Sequence, residues 1–145
     1  MRNTIVIAFI ALIFVGCNKE KFTSRPQLKF KSINTKVLDR GEIVSVTLSY
    51  TDLEGDLQDS LFVQKFEPSC VRSRFTTKYK LPNFPAVRNS EGEFVVSFGY
   101  NVNNYPLITA PLCGRNDTCY FRFVLKDKAQ NVSDTVNSDV FVIIK

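Results

Sequence analysis

Val44-Ser45-Val46-Thr47-Leu48-Ser49-Tyr50 alternates apolar and hydroxyl residues without a break. A period of two puts Val44, Val46, Leu48 and Tyr50 on one face of an extended strand and the hydroxyls on the other. The same pattern recurs outward in both directions. Leu28 and Phe30 alternate with Lys29 and Lys31, and Phe94, Val96, Phe98 and Tyr100 share one parity. Cys119, Phe121, Phe123 and Leu125 alternate with Tyr120, Arg122, Val124 and Lys126. Val71, Phe75, Tyr79 and Leu81 share a parity with Ser73 and Thr77, which predicts a strand over 71–81. Leu61 to Phe66 and Val140 to Ile144 are short apolar runs of strand length. Turn chemistry separates the runs at Asp39-Arg40-Gly41, Glu54-Gly55-Asp56, Ser90-Glu91-Gly92 and Asn101 to Asn104. About seven strands with one wet face each predict an all-β, antiparallel β-sandwich, its core filled by the phenylalanines.

Composition bounds the chemistry. The chain has 145 residues, 44% hydrophobic and 23% charged, which suits one globular domain and is too apolar for disorder. It has no histidine, which removes the commonest general base and the Ser-His-Asp and Cys-His mechanisms. No phosphate loop, dinucleotide fingerprint, nucleophile elbow or nucleic-acid motif is present. The chain is therefore expected to be non-catalytic and to have no nucleic-acid partner.

The first residues read as an address. Arg2 precedes an unbroken apolar run from Ile5 to Val15, long enough for a signal-peptide core and too short for the ~20 residues of a membrane span. The run ends in Phe14-Val15-Gly16-Cys17, which resembles the lipobox of bacterial lipoproteins. The resemblance implies cleavage before Cys17, acylation of that cysteine and a lipid anchor in the membrane. Residues 1–16 are then a removable signal, 17–26 a lipidated tether and 27–145 the domain. Cleavage takes Arg2 away and lowers the formal net charge from +5 to +4. Asn18 stands where an inner-membrane retention signal would have Asp, so the expected site is the outer membrane, on its periplasmic or cell-surface face.

Two turns resemble those of immunoglobulin-like domains on bacterial cell-surface lipoproteins. Tyr50-Thr51-Asp52-Leu53-Glu54-Gly55-Asp56-Leu57 is similar to their acidic D-x-D-G-D turn. Leu125-Lys126-Asp127-Lys128-Ala129-Gln130-Asn131-Val132-Ser133 is similar to their D-x-A-G-N-x-S turn, with Gln130 in place of Gly. The resemblance implies an immunoglobulin-like sandwich, although the antibody-type cysteine pair and core tryptophan are absent. In such a sandwich these two turns lie at one end, so Asp127 and Asn131 approach Asp52, Glu54 and Asp56. Carboxylates and turn carbonyls are the oxygen donors that calcium takes, making these five residues a candidate calcium site. Plain turn chemistry, or ion pairing with Lys126 and Lys128, accounts for the same acids without metal.

Arg72, Arg74, Lys78 and Lys80 share a parity and form one positive stripe on the strand expected over 71–81. The stripe is either a docking face for an anionic glycan or envelope protein or a charged edge that prevents sheets from pairing. Once Cys17 is lipidated, Cys70, Cys113 and Cys119 remain in an oxidising compartment. Cys113 and Cys119 flank a small turn-rich loop and are the expected disulfide; Cys70 pairing with either is the rival. Ser60 and Thr135 sit in Asp-Ser/Thr-apolar triplets that resemble bacterial O-glycosylation acceptors. The expected role is a lipid-anchored binding, adhesion or assembly accessory module, with a purely structural envelope protein as the alternative.

Overall fold

The computed structural model describes residues 21–145. The expected signal segment 1–16 and the lipidation residue Cys17 lie outside the described residues. Among the described residues no helix is long and apolar enough to cross a membrane.

The strands are β1 (Gln27–Ile33), β2 (Val37–Leu38), β3 (Ile43–Asp52), β4 (Ser60–Phe66), β5 (Phe75–Lys80), β6 (Ser90–Gly99), β7 (Asp117–Lys126), β8 (Val136–Asn137) and β9 (Phe141–Ile143). One sheet has the order β1-β3-β6, and the other β2-β9-β7-β4-β5, with β8 beside β7. All pairings are antiparallel except that of β2 with β9. The two sheets pack face to face as a β-sandwich, as the alternation predicts.

The inward faces follow the parity of the sequence. Val44, Val46 and Leu48 of β3 and Cys119, Phe121, Phe123 and Leu125 of β7 are wholly buried. Phe98 of β6 stacks on Phe121 of β7 with centroids 5.1 Å apart, and Phe121 stacks on Phe141 of β9 at 5.2 Å. These rings join the sheets across the core, and each fully buried one contributes roughly 1.5–3 kcal/mol by leaving water. The phenylalanines do not all serve the core: Phe62 and Phe66 have the opposite parity on β4 and line its outer face.

Three expectations are corrected. The strand expected over 71–81 begins only at Phe75, because Val71–Ser73 form a 3-10 turn. A disulfide at Cys70 and the packing of Ser73 hold that turn, and neither constraint appears in the local alternation. Ser90-Glu91-Gly92 is not a turn but the start of β6, where Gly92 pairs with Tyr50 and leaves room for its ring. The reversal falls instead at Arg88-Asn89, with Asn89 at φ 58°.

The third correction is the disulfide. Cys70 pairs with Cys113, closing a sequence separation of 43 residues, and Cys119 is a buried free thiol. Cys119 has the core parity of β7, so its side chain points between the sheets rather than back toward Cys113. Burial pushes its thiol up to about 12. Beside it, Lys65 of β4 and Asp117 of β7 form a fully buried ion pair at 2.7 Å. The ammonium also donates to the Thr109 carbonyl at 2.8 Å.

Candidate functional site

Asp52 and Asp127 are the residues that end the core-facing rows of β3 and β7. Each continues the parity of the apolar residues before it, and each is wholly buried. The β3–β4 turn brings in Asp56, and carboxylate oxygens of the three residues lie within 4.8 Å of one another. The turn is sharp enough to need Gly55, which has φ 72° and would drive a Cβ into the Val87 carbonyl. Asp52 accepts the Gly55 N–H through Oδ2 at 2.6 Å, while its Oδ1 and the Oδ1 of Asp56 are buried without a hydrogen-bond partner. Asp127 is held from one side by Asn131, whose backbone N–H and side-chain amide donate at 2.7 and 2.9 Å. The Lys128 N–H donates to the Asp56 carbonyl at 3.0 Å and ties the two turns together.

Burial raises the Asp52 carboxyl above its ordinary value. The Gly55 N–H works against that shift, and the charges of Asp56, Glu54 and Asp127 add to it. Among the described residues no lysine or arginine pairs with Asp52, Asp56 or Asp127. Ion pairing with Lys126 or Lys128 therefore does not account for the acids. Of the five expected ligands, the structure groups Asp52, Asp56 and Asp127. Glu54 accepts the Ser24 hydroxyl at 2.8 Å, and Asn131 turns its amide donor toward Asp127.

The same end of the sandwich receives the segment entering β1. Leu53 N–H donates to the Thr23 carbonyl at 3.1 Å, and the Asn131 amide donates to the Ser24 carbonyl at 3.0 Å. Arg25 donates to the Val132 carbonyl at 2.5 Å and pairs with Asp134 at 2.8 Å. Both turns thus grip residues 23–25.

The expected basic stripe is rearranged. Lys78 and Lys80 are exposed on the outer face of β5, with Phe75 and Tyr79 turned inward, as their parity requires. Arg72 and Arg74 are not on that strand. Arg72 lies in the 3-10 turn and donates to the Leu112 carbonyl at 3.2 Å. Arg74 follows it and donates to the carbonyls of Glu67 and Pro68 at 2.7 and 3.1 Å. The Arg74 guanidinium lies 4.1 Å from the Phe66 ring centroid, and that of Arg122 lies 3.9 Å from the same ring. Tyr120 accepts from Arg122 at 2.8 Å, and Lys78 sits over Phe62.

A positive, aromatic surface thus spans three strands rather than one edge. Lys78 and Lys80 on β5, Arg122 and Lys126 on β7, and Arg74 beside them carry its charge, and no outward position of β4, β5 or β7 is acidic. A shallow depression of ≈ 320 Å³ opens on it between Phe62, Gln64, Thr76, Arg122 and Val124. The signal for Phe62, Phe66, Tyr120 and Arg122 was their parity, opposite to that of the core residues on the same strands. Of the two glycosylation candidates, Ser60 is buried and Thr135 exposed.

No family model and no curated protein matches the chain. Among solved structures it is similar to Spo0M, a sporulation control protein from Bacillus subtilis, with 10% identity and a TM-score of 0.48 over 85% of this chain and 51% of that one. The chain spans about half the length of that protein, and a likeness this distant carries nothing about ligand or activity.

Proposed function

We propose that the chain is a lipid-anchored, non-catalytic module of the bacterial outer membrane that docks an anionic envelope glycan on the outer face of β7-β4-β5. One observation carries the reading: cations and aromatic rings alternate across three adjacent strands with no acidic side chain among them. Such a face attracts carboxylate, sulfate or phosphate groups, while Phe62, Phe66 and Tyr120 offer apolar area to sugar rings. Edge protection explains Lys78 and Lys80, since β5 ends its sheet. It does not explain Arg122, because at that position β7 lies inside the sheet, paired with Gln64 of β4 on one side and Asn137 of β8 on the other. The lipobox-like Gly16-Cys17 supports the anchor, and the Cys70–Cys113 disulfide suits an oxidising envelope.

The test uses the detergent-solubilised full chain on immobilised polygalacturonate, with neutral dextran as control. Retention on polygalacturonate alone is expected, falling at least about tenfold in Lys78→Glu/Arg122→Gln with thermal unfolding unchanged. Equal retention of the variant, or none of the wild type at low salt, would refute docking and leave the purely structural role. Incorporation of a labelled palmitate, lost in Cys17→Ser, tests the anchor separately.

A further inference from the structure

We infer that Asp52, Asp56 and Asp127 form a calcium site that clamps the β3–β4 and β7–β8 turns under the segment entering β1. Three carboxylates whose oxygens converge within 4.8 Å repel one another and call for a counter-charge. Among the described residues no cationic side chain supplies it. A second observation is independent of the clustering. Asp52 has no exposed surface, yet its Oδ1 has no hydrogen-bond partner, and in half-buried Asp56 the Oδ1 atom is likewise buried without one.

Buried carboxylate oxygens are ordinarily satisfied, so a pair left bare beside a third acid marks a place for a cation. The donor chemistry selects the metal. All the side-chain donors are oxygens, one at the end of β3 and two on the turns, and no thiol or imidazole stands among them. That set suits calcium, which tolerates irregular oxygen shells completed by carbonyls and water, better than zinc. Magnesium demands a tighter octahedron.

Asn131 acts as a positioning residue. It holds the Asp127 carboxylate with two N–H groups and donates to the Ser24 carbonyl with the same amide. The cation would therefore hold together the turns that grip residues 23–25.

The experiment is calorimetric titration of the full chain in detergent with calcium chloride after chelator treatment, paired with thermal unfolding. One calcium per chain is expected, with a dissociation constant on the order of 0.1–1 mM, the range of extracellular modules. Ten millimolar calcium should raise Tm by several degrees, and by about 10 °C at a hundredfold excess over the dissociation constant. Asp56→Asn, whose Oδ1 has no protein partner, should lose the heat and the Tm rise while unfolding in EDTA no earlier than the wild type. Glu54→Gln should keep both. The proposal is overturned if the wild type gives no saturable heat, if magnesium gives an equal rise, or if Asp56→Asn responds like the wild type.

Discussion

Lys65 is the one large charged side chain wholly enclosed in the described core, and its replacement tests the packing most sharply. Its ammonium has two partners, Asp117 at 2.7 Å and the Thr109 carbonyl at 2.8 Å. Lys65→Met keeps most of the side-chain volume and leaves Asp117 charged, buried and unpaired, with Oδ1 already lacking a partner. Breaking a buried pair from one side costs about 3–5 kcal/mol, a large share of the 5–15 kcal/mol that holds an ordinary domain. In urea, with a slope of about 1–3 kcal/mol/M, the midpoint should fall by roughly 2 M with the slope unchanged. Asp117→Leu should behave similarly, because it strands the ammonium. The double variant removes both charges, and its stability should return to within about 1–2 kcal/mol of the wild type or exceed it. The cycle then gives a coupling of about 3 kcal/mol or more. A single variant costing less than about 1 kcal/mol, or a double variant as unstable as the sum of the singles, would refute the enclosed pair.

The cysteines and the Gln130 turn give further outcomes. Closing the loop between Cys70 and Cys113 removes unfolded-state entropy worth about 4 kcal/mol, so Cys70→Ala/Cys113→Ala should unfold at correspondingly lower urea. Peptide mapping without reduction should show the 70–113 link, and Cys119, its thiol raised to about 12 by burial, should resist iodoacetamide at pH 8 until the chain unfolds. Gln130 has φ 73°, a region in which a side chain costs about 1–2 kcal/mol and glycine almost nothing. Gln130→Gly should raise stability by up to about 1 kcal/mol after the added unfolded-state freedom is subtracted, and a lower melting temperature would argue against the strained turn.

Parity within a strand was legible wherever the strand is regular. It placed Val44 to Tyr50 and Cys119 to Leu125 correctly, because burying one face of a strand decides every second residue. Lys65 carried the same signal, sharing parity with Leu61 and Val63, but its charge disguised a core position. Asp52 and Asp127 also continue apolar rows, which is why the candidate site lies at the sandwich end rather than on its surface. What failed was set by distant partners. Cys113 chose Cys70 over the nearer Cys119 because the 3-10 turn brings Cys70 beside the segment before β7, while Cys119 points inward. The choice between Asp56 and Glu54 depended on Ser24, 30 residues from Glu54, which draws the glutamate away from the cluster.

The two candidate sites have different relations to the anchor. Under the proposed lipidation of Cys17, six residue steps to Thr23 span at most ~20 Å of extended chain. Thr23, Ser24 and Arg25 are bonded to the same turns that hold Asp52, Asp56 and Asp127. The acidic end would therefore lie close to the bilayer. Anionic headgroups attract calcium there and repel bare carboxylates, so an unfilled triad would work against the anchor and a filled one would not. The outer face of β7-β4-β5 lies on the side of the sandwich, not at the end that holds the acidic triad. A glycan docked there, as proposed, would leave the turns that fix residues 23–25 in place. Calcium loading and glycan retention should consequently respond to separate substitutions: Asp56→Asn abolishes the first and spares the second, and Lys78→Glu/Arg122→Gln does the reverse. Loss of both functions in either variant, with the fold intact, would mean that the turns and the face form one site.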